Sequence, residues 1–346
     1  MVGTEQLSTG ARRGLTLAAP RGCTRGVTSA PTDQELRLAP GDVVTRRQLL
    51  AAGYHPRWPD RQVRRGLWQR PARGTYVVGS APLTRLDLGR VAQALASTDV
   101  VVSGLVALHE LGLRWVPPTD RVLALVDPEV RTPSSGQVVL RRTTDVHALE
   151  TWTRDGQVLA PVARAVVDGA RGLSLRDARG IVLGAVADGW AGVDDLRTHL
   201  DATQRNGSGI ARRAILDAER GCASPPEAEV VNRLLGCGLP FYVNPELRLH
   251  GRLLGLPDLW FLGLGLGGEV ESQERHGLER DVESTYDRHE RMTACGIELV
   301  HLSVRRIRRD PGAAAEALVQ RAIARKWSGR SEPSGLVVVP RGPLLR

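Results

Sequence analysis

The chain has 346 residues, 42% of them hydrophobic, which is enough for two or three packed domains. Lys plus Arg total 47 against 38 Asp plus Glu, a net charge of +9 carried almost entirely by arginine, since Lys326 is the single lysine. No apolar run approaches the roughly 20 residues of a membrane span, and four cysteines with no CxxC pair argue against a zinc site or a disulfide scaffold and suit a reducing cytoplasm.

Residues 1–32 are rich in Arg, Gly, Ser and Thr without periodicity or an apolar core, and read as a disordered tail or the product of an upstream start codon. A first folded unit is expected over 33–80. Thr45-Arg46-Arg47-Gln48 has the form of a capping box, Leu49 and Leu50 supply an apolar face, and Gly53 stops the helix. A second helix starts near Pro59-Asp60 and ends at Gly66. Two alternating runs, 67–70 and 75–78, then flank Pro71-Ala72-Arg73-Gly74 as a hairpin. Helix, turn, helix, hairpin is the order of a winged helix-turn-helix. In it Arg57, Arg61, Arg64 and Arg65 face a DNA groove, and Arg70 and Arg73 tip the wing. Arginine favours bidentate phosphate contact, although GC-rich coding produces the same arginine excess and such residues also simply solvate a small domain.

Residues 81–221 read as an α+β scaffold. Helices are expected over 84–96 and 103–111, strands over 121–126 and 137–142, and four amphipathic helices over 162–170, 174–187, 193–202 and 210–219. His109 and His147 stand alone and read as structural. Residues 222–327 follow the order helix, three strands, helix, strand, helix, a mixed α/β sandwich. Residues 328–346 are rich in Pro, Gly and Arg and read as a second disordered tail. The expected fold class is therefore multidomain α/β.

The last folded segment carries the candidate chemistry. Asp258 interrupts the apolar run Leu256–Leu262, and Glu269 and Glu271 share one face of the next strand. With a turn centred near Leu264-Gly265, Asp258 falls opposite Glu271 and diagonal to Glu269. Like charges that close repel, and a divalent cation relieves the repulsion while activating water for phosphodiester cleavage. The competing explanation is a set of acids paired with nearby arginines. Glu227 stands three residues after Ser224, where it completes a capping box or assists the site. His276 follows Glu271 by five residues, in position for a general base. Arg288 and Arg291 share a helix face and could clamp phosphate. His289 accompanies them, and His301 reads as a sheet residue.

The strings Ser224-Pro225-Pro226-Glu227, Pro257-Asp258-Leu259, Glu269 through His276, and Arg288 before Cys295-Gly296 resemble an actinobacterial domain of unknown function related to very-short-patch-repair endonucleases of the PD-(D/E)xK fold. The resemblance covers about 224–324. It implies a restriction-endonuclease-like domain with Asp258 and Glu269 as ligands of Mg²⁺ (or Mn²⁺), Glu227 near the site, and His276 as the histidine closing the motif. Glu271 stands where the wider fold carries Lys and this subfamily most often Asp, and Arg275 replaces the first of two adjacent histidines. Residues 42–79, with Val43–Leu49, Arg64-Arg65-Gly66 and Arg73–Tyr76, resemble the winged helix of AbiEi-type antitoxins and related transcriptional regulators. Residues 103–113 and 161–168 resemble the domain that follows it in those proteins. Together they imply a DNA-binding module joined to a nuclease-like one, which with the cysteine usage makes the expectation a cytoplasmic protein that binds double-stranded DNA and cleaves it with a metal. The alternative they imply is a non-catalytic regulator that binds an operator and a cognate toxin. No membrane partner is expected.

Overall fold

The computed structural model describes residues 38–203, 205–271 and 289–346. The chain divides into two compact units, one running to Leu113 and from Pro117 to Ala165, the other made of Arg114–Val116 and Val166–Arg346. The expected tail over 1–32, and His276 and Arg288, lie outside the described residues.

In the first unit, β1 (Val43–Thr45) leads into α1 (Arg46–Ala51), α2 (Trp58–Arg64), β2 (Trp68–Ala72) and β3 (Thr75–Val78). The Thr45 capping box forms as its spacing predicts, with the Gln48 N–H donating to Thr45 Oγ1 and the Thr45 N–H donating to Gln48 Oε1. The strands make an antiparallel sheet in the order β1-β3-β2. Ala72 pairs with Thr75, so the hairpin turn is Arg73-Gly74, tighter than the four residues the sequence suggests. Pro71 sits in a register shift of β2, where its missing N–H breaks no ladder bond. Tyr54, Trp58, Trp68 and Tyr76 build the core, and the Trp58 and Trp68 rings meet edge to face at 4.9 Å.

The rest of this unit contains α3 (Arg85–Ala96), β4 (Val101–Ser103), α4 (Gly104–Leu111), β5 (Val122–Val126), β6 (Val138–Arg142), β7 (Trp152–Arg154) and β8 (Gln157–Leu159). Its sheet has the order β6-β5-β4-β8-β7. β4, β7 and β8 have three residues each, too few for alternation to announce them. His109 and His147 take structural partners, the Pro117 carbonyl at 3.0 Å and Asp127 at 3.2 Å.

α5 (Val162–Ala170) begins in the first unit and passes into the second at Val166, and the second continues with α6 (Leu175–Ala187), α7 (Val193–Ala202), α8 (Gly209–Glu219) and α9 (Pro225–Leu234). α6 packs on α8, and a buried ion pair links them, Arg179 Nε to Asp217 Oδ2 at 2.7 Å. Asn232 Nδ2 on α9 also donates to Asp217, at 2.7 Å, so the buried charge is both paired and hydrogen-bonded. Burial pushes the neighbouring Cys222 thiol well up, and Glu227 and Asp217 push it further, which leaves it an inert core residue.

Then come β9 (Phe241–Val243), β10 (Glu246–Leu249), β11 (Arg252–Gly255), β12 (Leu259–Phe261), β13 (Leu266–Glu271), β14 (Glu298–Ser303), α10 (Val304–Arg309), α11 (Pro311–Trp327) and β15 (Leu336–Val339). The main sheet is mixed, in the order β14-β13-β12-β9, with β13 and β14 parallel. A second sheet has the order β11-β10-β15. The segment 328–346, expected as a disordered tail, is structured instead. Leu336–Val339 pairs with Glu246–Leu249 along an otherwise open edge, Leu345 bridges Phe241, and Leu336 and Val338 pack on the Trp260 cluster. Its Pro and Gly residues hid a four-residue strand of leucine and valine, which a hydrophobic edge recruits.

Candidate functional site

Two surfaces carry the charge that the sequence singles out, one in each unit. On α2, the apolar side packs Trp58, Pro59 and Gln62 inward. Arg57, Arg61, Arg64 and Arg65 fall at helical spacing on the opposite side, and all four are exposed. Arg70 and Arg73 are exposed on the hairpin, Arg70 lying 3.6 Å from Asp60. The hairpin tip is fixed from below. The Gln137 N–H donates to the Pro71 carbonyl at 2.9 Å, and the Arg73 N–H donates to Ser135 Oγ at 2.8 Å.

Behind this face lies a hub that residue spacing alone does not announce. Arg46 Nη2 donates to both oxygens of Asp60 at 2.8 and 2.7 Å and to Tyr76 Oη, while Tyr76 Oη donates to Asp60 Oδ1 at 3.1 Å. The Arg46 hydrogen bond holds the Asp60 carboxyl below its ordinary range, against the opposing effect of burial. Desolvation raises the Tyr76 hydroxyl. This network ties the start of α1 to α2 and β3, so it orients the arginine-bearing helix. The signal for it was the Arg46-Arg47 pair, in which one guanidinium is structural.

In the second unit, β12 and β13 set the register. Leu259 pairs with Gly268 and Phe261 with Leu266, which makes 262–265 the turn. Asp258 therefore falls opposite Glu269, not opposite Glu271 as a turn centred on Leu264-Gly265 requires. The Val270 N–H donates to Asp258 Oδ2 at 2.6 Å, locking the carboxylate onto β13. Gly265 adopts φ +60° and passes so close to the Ser331 carbonyl that a Cβ there would lie 2.9 Å from it, hence glycine at this corner. Arg325 and Glu332 hold the corner from the C-terminal side. Arg325 Nε donates to the Leu264 carbonyl, and Glu332 Oε1 accepts from Trp260 Nε1 at 2.9 Å and from the Gly263 N–H at 2.7 Å.

The two faces of β13 differ. A Cβ on Gly268 would meet Leu318 of α11, whereas one on Gly267 would meet Leu299 and Pro257. Glu269 and Glu271 continue the Gly267 face. Glu269 is buried, with His289 Nε2 at 3.9 Å from its Oε1. Glu271 is exposed, and its Oε1 lies 2.8 Å from His301 Nδ1. The two imidazole rings lie 4.7 Å apart. The cluster is thus Asp258, Glu269 and Glu271 with His289 and His301. The sequence signal for His301 was a polar side chain inside the run Ile297–Leu302. For His289 it was only its place beside Arg288 and Arg291.

Glu227 is committed to the start of α9. Its carboxylate accepts from Ser224 Oγ at 2.8 Å, and from the Ala223 N–H and Asn244 Nδ2 at 2.9 Å each. Asn244 links it to the site, because the Asn244 N–H donates to the Asp258 carbonyl at 2.9 Å. Asn244 adopts φ +48°, a conformation Asn tolerates better than most residues. Among the described residues, no group of three or more His, Cys, Asp or Glu side chains converges as a cage for a metal ion. Asp258 opposite Glu269 still offers a pair of hard oxygen donors, and Mg²⁺ is commonly held by one or two carboxylates with waters and substrate phosphate completing its shell.

No protein-family model matches the chain, and no curated protein matches it. Among solved structures, the RV2827C protein from Mycobacterium tuberculosis aligns over 54% of this chain and 74% of its own length, at 21% identity and a TM-score of 0.33. A superposition that slight carries neither fold nor function across. Among the described residues, no helix is long and apolar enough to cross a membrane.

Proposed function

We propose that this protein binds double-stranded DNA through a winged helix-turn-helix, with the Arg61 face of α2 in contact with the duplex, and cleaves phosphodiester bonds with a restriction-endonuclease-like C-terminal domain. The observation that carries the catalytic half is that the β12–β13 register, continued by one residue, brings Asp258 level with the buried Glu269, with the Asp258 carboxylate bonded to the adjoining Val270 N–H. Asp258 and Glu269 would hold Mg²⁺ or Mn²⁺, which when bound polarises a phosphoryl oxygen and lowers the pKa of a water. Glu271, kept in place by His301, takes the proton from the attacking water, and the imidazole beside it spreads the resulting charge. Glu227 acts at one remove, by fixing Asn244 and through it the Asp258 backbone.

A second reading is a regulator or antitoxin that binds an operator, and a toxin, without catalysis. The observation favouring it is that Glu271 and Glu269 each face a histidine, so protonated imidazoles can neutralise the acids without a metal. Plasmid nicking with Mg²⁺ or Mn²⁺ separates the two. The nuclease reading expects nicking by the wild type and none by Asp258→Ala. Sequence-selective duplex binding that Asp258→Ala leaves intact, with no nicking on any DNA supplied, establishes the regulator instead.

A further inference from the structure

We propose that α10, Val304–Arg309, is a second contact for the DNA phosphate backbone, laid beside the acid face. The inference rests on the DNA-binding reading above and adds where the duplex runs in the C-terminal unit. Four of the six residues of α10 are arginine. Arg305, Arg306, Arg308 and Arg309 are all exposed, and only Ile307 is buried. Among the described residues, none of these four guanidinium groups has an acidic or hydrogen-bonding side-chain partner. The neighbouring helix behaves otherwise, since Arg321 and Arg325 of α11 both bind Glu298. The next acid along the chain, Asp310, is occupied as the N-cap of α11, accepting from the Ala313 N–H at 2.9 Å.

Like charges three and four apart on a helix repel, and Arg305–Arg308, Arg306–Arg309 and Arg305–Arg309 are such pairs. A fold that leaves this repulsion uncompensated gains from a polyanion that removes it. Position identifies the polyanion. Ser303, the residue that caps α10, is the strand partner of Glu271 across the parallel β13–β14 pair. Glu271 and Ser303 are the last residues of their strands, so the arginines begin two residues beyond the level of the candidate site. A duplex held there by its phosphates would bring a neighbouring phosphodiester to the acids, which otherwise repel it. Guanidinium groups suit this task, because they pair with phosphate bidentately and stay charged at any physiological pH.

The test is fluorescence anisotropy of the full chain on a labelled duplex of about 20 base pairs, titrated between about 50 and 200 mM salt. Five proteins are compared: wild type, Arg61→Gln/Arg64→Gln/Arg65→Gln, Arg305→Gln/Arg306→Gln/Arg308→Gln/Arg309→Gln, the same four positions changed to lysine, and a two-residue variant. Each lost phosphate contact lowers the slope of log K against log salt by about one. The expected result for the α10 glutamine variant is a slope lower by about two to four and binding weakened at least tenfold, with lysine restoring most of both. The two-residue variant Arg305→Gln/Arg309→Gln guards against misfolding and should lower the slope by about two at an unchanged melting temperature. An unchanged slope in folded α10 variants overturns the inference. So does loss of binding to phosphatidylserine vesicles with duplex binding intact, which would make the patch a lipid contact. Nicking is scored separately: a slope change without nicking removes the nuclease reading and leaves this one standing, and nicking with no slope change does the reverse.

Discussion

The arginine face of α2 and the acid face of β13 hold opposite charges in opposite ways. Arg57, Arg61, Arg64 and Arg65 project into solvent from a helix whose other side is packed. Their position follows from helical spacing, and any helix of that sequence would display them together. Asp258, just before β12, and the buried Glu269 of β13 stand level with each other only because the hairpin closes in one register. Exposed charge of the first kind costs the fold little and is available to a partner. Buried charge of the second kind must be neutralised where it stands.

Three further experiments break or sharpen that contrast. On the nuclease reading the largest effect is expected at the acid face, where Glu269→Gln, which removes a metal ligand, should lower metal-dependent nicking by about 100-fold or more while leaving duplex affinity within about twofold. Equal loss of nicking and binding would mean that the two faces are not separate in function. Next is the pair that holds α6 on α8. Arg179→Met leaves Asp217 buried without its main partner and should destabilise the second unit by about 3–5 kcal/mol, read as a lower denaturant midpoint. Replacing both members with Arg179→Met/Asp217→Leu should recover most of the loss. A single variant as stable as wild type would show that Asn232, together with Arg220 whose Nη1 lies 3.5 Å from Asp217 Oδ1, suffices for Asp217.

The smallest effect belongs to the hub behind the arginine face. The Asp60 carboxyl titrates below its ordinary 3.8 in the folded chain, chiefly through Arg46. Its contribution is therefore fully present above that ordinary value and is lost as pH falls through the lower folded value. Asp60→Asn should remove about 1 kcal/mol at neutral pH, since the pair is partly screened by solvent. It should also flatten the fall of melting temperature below about pH 4. The same fall in wild type and Asp60→Asn would show that other carboxylates govern it.

Legibility in the sequence followed the range of the interaction. The Thr45 cap, the arginine face of α2 and the four helices over 162–219 were readable because capping and helical periodicity act within a few residues. The pairing of β4, β7 and β8 was not, because three-residue strands carry too little pattern. The acids were readable as anomalies in an apolar setting, but their partners were not. Asp258 belongs opposite Glu269, and the histidines that join them come from 20 and 32 positions beyond Glu269 along the chain. Glu227 was legible as a cap, and its carboxylate is spent largely on that. The four arginines of α10 read as a solvated face until their position beside Glu271 is known.

By itself, then, the order of residues determined which segments are helical, which side of each helix is polar, and that the late apolar runs contain misplaced carboxylates, since these depend on propensity and local spacing. The tertiary structure alone decided which carboxylates meet, which histidines answer them, that β15 closes an open edge, and that α10 stands next to the acids. Those outcomes are fixed by strand register and long-range packing, where a shift of one residue turns a side chain to the other face.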